Sequence, residues 1–421
     1  MISVAAYTLG CKVNQYDTEK LLEKCRSRGC RTVPFEHFAE LYIINTCTVT
    51  HIADRKSRQM IRKAKKINPN ARIAVCGCLA KLSPETVREA GADFVFDARE
   101  AESLFQNMGD SFSEPARAAA PARIRAYIKI QEGCDRFCAY CIVPYARGSV
   151  VSRPPADIIK EAEALTRRGV REIVLTGIHA ASYGKDLIKG SLPALMEIIA
   201  GTDGLRRLRL SSIEPCAADE AFLRVIEKYP VICGHFHLSL QSGCDATLRR
   251  MNRRYTTAEY RTAAEALRHV RPDAALTTDI MVGFPGETDA DFEESMAFIE
   301  QSRFARLHVF EFSPRANTPA ANFPAQIPAP VKSKRGEQTR ALAARLERGF
   351  LAAFTGRTEE VLFETERGGY LYGKTGNYIS VRVKKPADGG GNAGLLNEIA
   401  DVKLEAVTDG EMEGILIGGK K

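Results

Sequence analysis

The segment Tyr127-Ile-Lys-Ile-Gln-Glu-Gly-Cys134-Asp-Arg-Phe-Cys138-Ala-Tyr-Cys141-Ile-Val-Pro-Tyr-Ala-Arg147-Gly148 decides how the rest of the chain is read. Tyr127, Ile128 and Ile130 predict a strand running into Gly133, followed by three cysteines spaced C-x3-C-x2-C. Three thiolates on one short loop can ligate three irons of a cubane, whereas ordinary ferredoxin clusters take four cysteines. No fourth cysteine follows nearby, so one iron would stay open to a ligand from outside the protein. An open iron beside a redox cluster is what binding S-adenosylmethionine through its amino and carboxylate groups, and splitting it to a radical, requires. Competing readings are part of a zinc site, a redox dithiol, or buried structural thiols.

The surrounding chain bears on that choice. Its 421 residues suffice for two or three domains, and 45% hydrophobic with 27% charged residues describes an ordinary globular protein. The first residues lack the basic flank of a signal peptide, and no apolar run reaches membrane-spanning length. These features predict a cytoplasmic protein with no membrane association, and no stable protein partner is evident. In a reducing compartment, twelve cysteines point to metal ligands, catalytic thiols or core positions rather than disulfides. A net charge of +8 suits a polyanionic partner, and with no tryptophan any base stacking falls to Phe, Tyr, His or Arg.

Residues 1–112 predict an N-terminal domain. Strand patterns at Ser3–Thr8, Leu41–Thr46 and Arg72–Cys76 are each followed by a helical pattern, at Asp17–Arg28, Asp54–Lys66 and Ser83–Ala90. That alternation predicts a parallel, flavodoxin-like α/β sheet. Just past each strand stands a cysteine: Cys11, Cys47 and Cys78. Carboxyl ends of parallel strands share one edge, so these three thiols are expected to converge as a second three-cysteine metal site. Cys78, after the turn glycine Gly77, is preferred over Cys76, which is expected to face the core; Cys25 and Cys30 read as structural. The second helix carries Arg58, Arg62, Lys63 and Lys66 among few acids and is read as an RNA phosphate-contacting surface.

Residues 113–124 have linker composition. From 125 to 353 the strand–helix alternation continues, with strands at Tyr127–Ile130, Glu172–Thr176, Arg207–Leu210, His235–Leu240, Leu276–Met281 and Arg306–Phe312. Six units are too few to close an eight-fold barrel, so an open, partial (β/α)6 barrel is expected, with its site at the carboxyl ends. There Gln241, Ser242, Gly243, Gly283 and Glu214 are candidate contacts for the cofactor, the backbone at Gly283 and Gly286 being open to an adenine. Arg147 and Arg153 are candidates to meet a carboxylate, and Cys216, Cys233 and Cys244 read as structural. Short alternating strands over residues 354–421 predict a small C-terminal β-barrel.

The cysteine loop, with Tyr140 before its last cysteine, resembles the cluster loop of the radical S-adenosylmethionine superfamily. Together with Cys11/Cys47/Cys78 and the terminal barrel, it makes the whole chain resemble the methylthiotransferase family. Thr8-Leu-Gly-Cys-Lys-Val-Asn14, Leu175-Thr-Gly-Ile-His179 and Ser211-Ser-Ile-Glu214 resemble the branch acting on N6-threonylcarbamoyladenosine in tRNA, next to the anticodon. The resemblance implies two 4Fe–4S clusters, S-adenosylmethionine, an external electron donor, tRNA as partner and a TRAM domain that binds it. It implies that Cys134, Cys138 and Cys141 are catalytic through their cluster, and that Cys11, Cys47 and Cys78 hold a sulfur-delivering one. The rival functions are the same chemistry on isopentenyladenosine or on a ribosomal-protein aspartate, and, from another class, a non-enzymatic metal-containing RNA-binding protein.

Overall fold

The computed structural model describes residues 2–108, 124–385 and 394–420. Most of the expected linker, 113–124, lies outside them.

The N-terminal elements are β1 (Ser3–Thr8), α1 (Lys12–Ser27), β2 (Arg31–Val33), β3 (Leu41–Thr46), α2 (His51–Ile67), β4 (Arg72–Gly77), α3 (Cys78–Leu82), α4 (Pro84–Glu89), β5 (Phe94–Val95) and α5 (Ala101–Met108). The five strands form one parallel sheet in the order β2-β1-β3-β4-β5, the flavodoxin-like order. All six residues of β3 are buried, as a central strand covered on both faces requires. On one face Val4, Leu41, Ile43 and Cys76 pack with Leu21, Cys25, Leu104 and Phe105. On the other, Tyr42, Ile44, Ile73 and Val75 pack with Met60, Ile61 and Ala64. Helix α1 begins five residues before the expected Asp17, with Cys11 as its N-cap. The expected third helix, Ser83–Ala90, is present as α4 with Ser83 as its N-cap, and ahead of it Cys78 opens a further one-turn helix, α3, that the sequence did not announce. The short strands β2 and β5 carry too few residues to show a pattern.

This sheet does not form a body alone. The compact unit around it also takes in residues 131–151, which hold the C-x3-C-x2-C loop, and 313–321. It includes the last two residues of β6 (Arg125–Glu132) and the helix α6 (Val143–Arg147). A division in chain order puts all of these in the central segment.

The second compact unit continues with β7 (Val151–Ser152), α7 (Pro155–Arg167), β8 (Glu172–Gly177), α8 (Leu192–Ala200), β9 (Arg207–Leu210), α9 (Glu220–Lys228), β10 (His235–His237), α10 (Asp245–Arg250), α11 (Thr257–Val270), β11 (Ala275–Val282), α12 (Asp289–Ser302), β12 (Arg306–Glu311) and α13 (Ala329–Ala352). Its strands lie in two sheets, β7-β6-β8-β9 and β10-β11-β12, connected by parallel bridges at Leu208↔Ile232 and Ile213↔Leu238. Six strands, β6 and β8 to β12, build the open partial barrel, with helices packed outside around Phe222, Phe236, Tyr260 and Phe304. The chain ends in β13 (Thr358–Arg367), β14 (Tyr370–Thr375), β15 (Ser380–Lys384), β16 (Ile399–Thr408) and β17 (Glu411–Lys420), a closed five-stranded barrel. No helix among the described residues is long and apolar enough to cross a membrane.

The terminal barrel is fastened beneath the partial one by buried charge. Glu172, the first residue of β8, is fully buried and accepts from Arg209 Nε at 3.0 Å and Arg125 Nε at 2.5 Å. Arg209 and Arg207 in turn donate to the backbone carbonyls of Gly376 and Lys374, at 3.0 and 2.7 Å. The guanidinium groups of Arg209 and Arg125 lie 4.6 and 5.2 Å from the ring centroid of Tyr378, against which His235 stacks. These contacts sit at the amino ends of β8 and β9, the end of such barrels that serves stability. Burial alone would raise the carboxyl pKa of Glu172, but Arg209 and Arg125 outweigh it and hold it at about 2, against an ordinary 4.5.

Because the folded value is depressed, the stabilisation is complete above pH 4.5 and disappears as pH falls through about 2; it amounts to roughly 3 kcal/mol. Glu172→Gln should therefore lower unfolding stability at pH 7, with the gap from the wild type narrowing below pH 4. Arg209→Ala, which leaves Glu172 partly uncompensated, should lose about 3–5 kcal/mol. Urea denaturation across pH measures both.

Candidate active site

In a sheet of this order the crevice beyond the carboxyl ends of β1 and β3 is the topological switch point, where such folds bind ligands. Cys11 follows β1, Cys47 follows β3, and Cys78 follows β4 beside them. Gly77 precedes Cys78 at φ +91°, and a Cβ there would lie 2.3 Å from the Thr46 carbonyl oxygen, so only glycine lets the two strand ends meet. Gly10 does the same service on the other side: its Cβ would fall 3.0 Å from the Cys47 sulfur. Asn14, one turn into α1, donates its amide to the carbonyls of Leu9 at 2.7 Å and Thr46 at 3.0 Å, tying the ends of β1 and β3. Its Oδ1 takes the Cys11 thiol at 3.9 Å.

Arg147 completes the set. It ends α6, six residues after Cys141, and is nearly buried. Its Nε lies 3.2 Å from the Cys78 sulfur, its Nη1 2.9 Å from Glu132 and 3.4 Å from Asp17, and its Nη2 donates to Asn14 Oδ1. Asn14 and Arg147 thus connect the thiol of Cys11 to that of Cys78. Burial works against the charge on Arg147, but Cys78, Glu132 and Asp17 outweigh it and keep the guanidinium protonated. Burial pushes the Cys47 thiol up to about 11, and the nearby thiols of Cys78 and Cys11 add to the shift. Cys11, Cys47 and Cys78 are all free thiols, and Cys76 faces the core as expected. A donor set made only of sulfur, gathered at one sheet edge, fits an iron–sulfur group.

The C-x3-C-x2-C loop leaves β6 at Gly133. The Cys134 N–H bonds the Gly148 carbonyl at 3.0 Å and the Cys141 N–H that of Cys138 at 2.9 Å, which folds the loop back on itself. Cys138 is buried, while Cys134 and Cys141 are half-buried. Phe137 sits at φ +48° between them, and Ala139 accepts a bond from the Ala320 N–H.

The expected cofactor contacts in the partial barrel fare unevenly. Gln241 adopts φ +73° and pairs with β11 through its backbone, donating to the Asp279 carbonyl and accepting from the Met281 N–H. The Ser242 hydroxyl accepts from Cys244 N–H at 3.3 Å. Gly243 is a packing glycine, since a Cβ there would lie 2.8 Å from Phe298 and from the Ser295 carbonyl. The expectation of open backbone at Gly283 is overturned: the Lys332 stem lies where its Cβ would be, 2.2 Å away, and Arg250 covers Gly286 at 3.5 Å. Helix α13, which brings Lys332, is too distant in sequence for that cover to be foreseen. Glu214 is buried and paired with Arg253 at 3.0 Å and His179 at 3.2 Å. Arg153 is held by Glu161 at 2.8 Å and the Lys129 carbonyl at 2.7 Å, so it does not await a ligand carboxylate. Cys216, expected to be structural, is exposed, whereas Cys233 and Cys244 are buried.

Several groups escaped the sequence reading. Asp279 on β11 accepts from His237 of β10 at 3.3 Å and His308 of β12 at 3.2 Å, and the two rings stack 5.7 Å apart. Strand register puts Asp279 opposite His308, a pairing no local motif announces. On α2, Arg62, Lys63 and Lys66 are exposed and Arg58 is half-buried. Lys63 also pairs with Glu36 at 3.4 Å, while Asp54, the acid of the first turn, is taken by Arg315 at 2.7 Å.

Known proteins bear on this geometry. Residues 128–299 match the Radical SAM superfamily and residues 3–97 the Uncharacterized protein family UPF0004. The chain is 37% identical to the threonylcarbamoyladenosine tRNA methylthiotransferase MtaB of Bacillus subtilis, over 96% of this chain and 94% of that one. It is 32% identical to a tRNA-2-methylthio-N(6)-dimethylallyladenosine synthase of Thermotoga petrophila, over 97% and 96%. Among solved structures it resembles the radical S-adenosylmethionine methyltransferase TsrM of Kitasatospora setae, with a TM-score of 0.55, 15% identity and 76% and 77% coverage, a likeness of fold. With that identity sustained over nearly its whole length, the chain belongs to the radical S-adenosylmethionine methylthiotransferase family.

Proposed function

We propose that this protein is a tRNA methylthiotransferase that adds a methylthio group to carbon 2 of N6-threonylcarbamoyladenosine beside the anticodon, using S-adenosylmethionine. The observation that carries the reading is the convergence of Cys11, Cys47 and Cys78 on one sheet edge, with Arg147 of the cysteine-loop helix against Cys78. The threonylcarbamoyl substrate rests on the name and 37% identity of the Bacillus subtilis relative. The dimethylallyl alternative has the 32% relative in its favour.

Cys134, Cys138 and Cys141 would hold a 4Fe–4S cluster, which when bound supplies the electron for reductive cleavage of S-adenosylmethionine. Cys11, Cys47 and Cys78 would hold a second one, from whose site sulfur is delivered. The chain's own residues prepare these places. Arg147 keeps a positive charge 3.2 Å from the Cys78 sulfur and ties it to Asn14. Cys47 releases a proton on ligation, since burial keeps it a thiol at neutral pH. Asn14 holds the two strand ends at fixed separation. Gln241, Ser242 and Glu214 would stand at the carboxyl edge that receives S-adenosylmethionine, Glu214 held by its pairs with Arg253 and His179, whereas Gly243 and Gly283 are taken up by packing against Phe298 and Lys332. Exposed Arg62, Lys63 and Lys66, with Arg58, offer cations to tRNA phosphates, and the terminal barrel serves as a TRAM-like RNA-binding module. The functional segments are 1–112, 125–353 and 354–421. An external reductase supplies the electron, and the reaction belongs in the cytoplasm, with its tRNA.

Nucleoside mass spectrometry of threonylcarbamoylated tRNA incubated with anaerobic enzyme, S-adenosylmethionine and a reductant should reveal the 2-methylthio product. Cys134→Ala should abolish it. A wild-type enzyme that modifies only dimethylallyl-adenosine tRNA, or none, overturns the substrate.

Iron analysis gives a separate check. The brown holoprotein should contain about eight irons per chain, and a Cys11→Ala/Cys47→Ala/Cys78→Ala protein about four; zinc in a colourless protein would favour the non-enzymatic alternative.

Charge reversal at Lys63 and Lys66 (Lys63→Glu with Lys66→Glu) should weaken tRNA binding at least tenfold at low salt and reduce the slope of log Kd against log salt. An unchanged slope removes α2 from the RNA surface.

A further inference from the structure

His237, Asp279 and His308 stand on three neighbouring parallel strands, and strand geometry alone brings them together. In β10, β11 and β12 the residues Phe236, Ile280 and Leu307 belong to the core packed under the helices. Their chain neighbours His237, Asp279 and His308 therefore share the opposite face of the sheet. His308 is directly across from Asp279, and His237 is across from Thr277. Asp279 presents Oδ2 to His237 Nε2 at 3.3 Å and Oδ1 to His308 Nδ1 at 3.2 Å. One ligand atom from each of the three residues lies within 4.8 Å of the other two.

The choice of partner sets Asp279 apart from other enclosed carboxylates of this unit. Glu172, Glu287 and Asp291 are matched by the guanidinium groups of Arg209, Arg335 and Arg250, at 3.0, 2.7 and 2.7 Å. A guanidinium is permanently charged and ligates no metal, whereas imidazole is the commonest metal-ligating side chain. The separations point the same way. A charge-assisted N–H···O bond spans roughly 2.7–2.9 Å. Donor atoms around a tetrahedral zinc stand ~3.3 Å apart, as its bond lengths of about 2.0–2.2 Å dictate. His237 is also oriented from behind: its Nδ1 lies 3.1 Å from Thr277 Oγ1, which in turn lies 3.2 Å from His235 Nε2. With Nδ1–H donating to Thr277, His237 turns the lone pair of Nε2 towards Asp279, and a cation between the two satisfies both.

We infer that His237, Asp279 and His308 form a binding site for one divalent transition-metal ion of the zinc type. Two imidazoles and a carboxylate suit Zn²⁺, and differ both from the oxygen sets that hold Mg²⁺ or Ca²⁺ and from the all-sulfur sets of the cysteines. The His308 side chain is 50% exposed and that of Asp279 27%, so water reaches the group and can complete the coordination. Bound there, the ion ties the edge strand β12 to β11 and β10. The site stands on the strand geometry and does not depend on the tRNA reading.

The test is metal uptake by the cluster-loaded full chain. Protein is equilibrated anaerobically with zinc chloride or magnesium chloride, desalted and assayed for zinc, magnesium and iron, and its thermal unfolding is followed with and without zinc. The wild type should retain one zinc per chain and no magnesium, at unchanged iron content, and zinc should raise its Tm. His308→Ala and the near-isosteric Asp279→Asn should each bind zinc at least roughly 100-fold more weakly. Neither should show the zinc-dependent rise in Tm, and both should keep wild-type iron. Thr277→Val, which removes the support behind His237, should weaken zinc binding roughly 10- to 100-fold. Three results overturn the site: a wild type that retains no zinc, undiminished zinc retention in both ligand variants, or uptake only where iron is lost, which places the metal on the cysteines.

Discussion

A single buried guanidinium organises the N-terminal unit of this protein. Arg147 has Cys78, Glu132, Asp17 and Asn14 around it, and these come from different parts of the molecule: α3, the end of β6 and the first turns of α1. A buried cation is tolerable only when paired and hydrogen-bonded, so these segments must arrive together. Their meeting is also what brings the C-x3-C-x2-C loop into the same compact unit as the flavodoxin-like sheet. The remaining donors at the rim, Asn14 above all, hold the strand ends at the spacing the cysteines need.

The partial barrel divides its labour between its two ends. At the amino ends of β8 and β9, Glu172 and three arginines fasten the terminal barrel, with Tyr378 lodged between cations. Glu172, Arg207 and Arg209 of this network are buried and hydrogen-bonded, and its purpose is cohesion. At the carboxyl ends stand Glu214 with His179 and Arg253, and the Gln241–Ser242–Gly243 turn. Asp279 with His237 and His308 lies further along the sheet formed by β10, β11 and β12. These groups are polar, buried or half-buried, and positioned by more than one strand, which is how catalytic edges of parallel sheets are built. The separation lets one end be tightly fastened while the other retains polar side chains.

What was legible in the chain follows from short-range physics. Strand–helix alternation, the Gly-Cys turns after β1 and β4, and the three-cysteine loop are local patterns. Period, turn chemistry and thiol spacing were enough to place Cys11, Cys47 and Cys78 at strand ends on one edge. The cover of Gly283 by Lys332 was not legible, because the two lie far apart in the chain and no pattern records which helix folds across which glycine. Helix α3 at Cys78 was missed for a related reason: one turn is too short to show a period.

The sequence by itself therefore determined the alternating fold, the two sets of three cysteines and the family resemblance, since these depend on residue type at fixed spacing. Only the tertiary structure decided that Arg147 faces Cys78 and not a ligand carboxylate, that Arg153 is already paired, and that Asp279 gathers two histidines. The reason is that a long charged or polar side chain takes whatever partner burial leaves within reach. That partner is fixed by strand register and by the packing of distant segments, neither of which is written in any local run of residues.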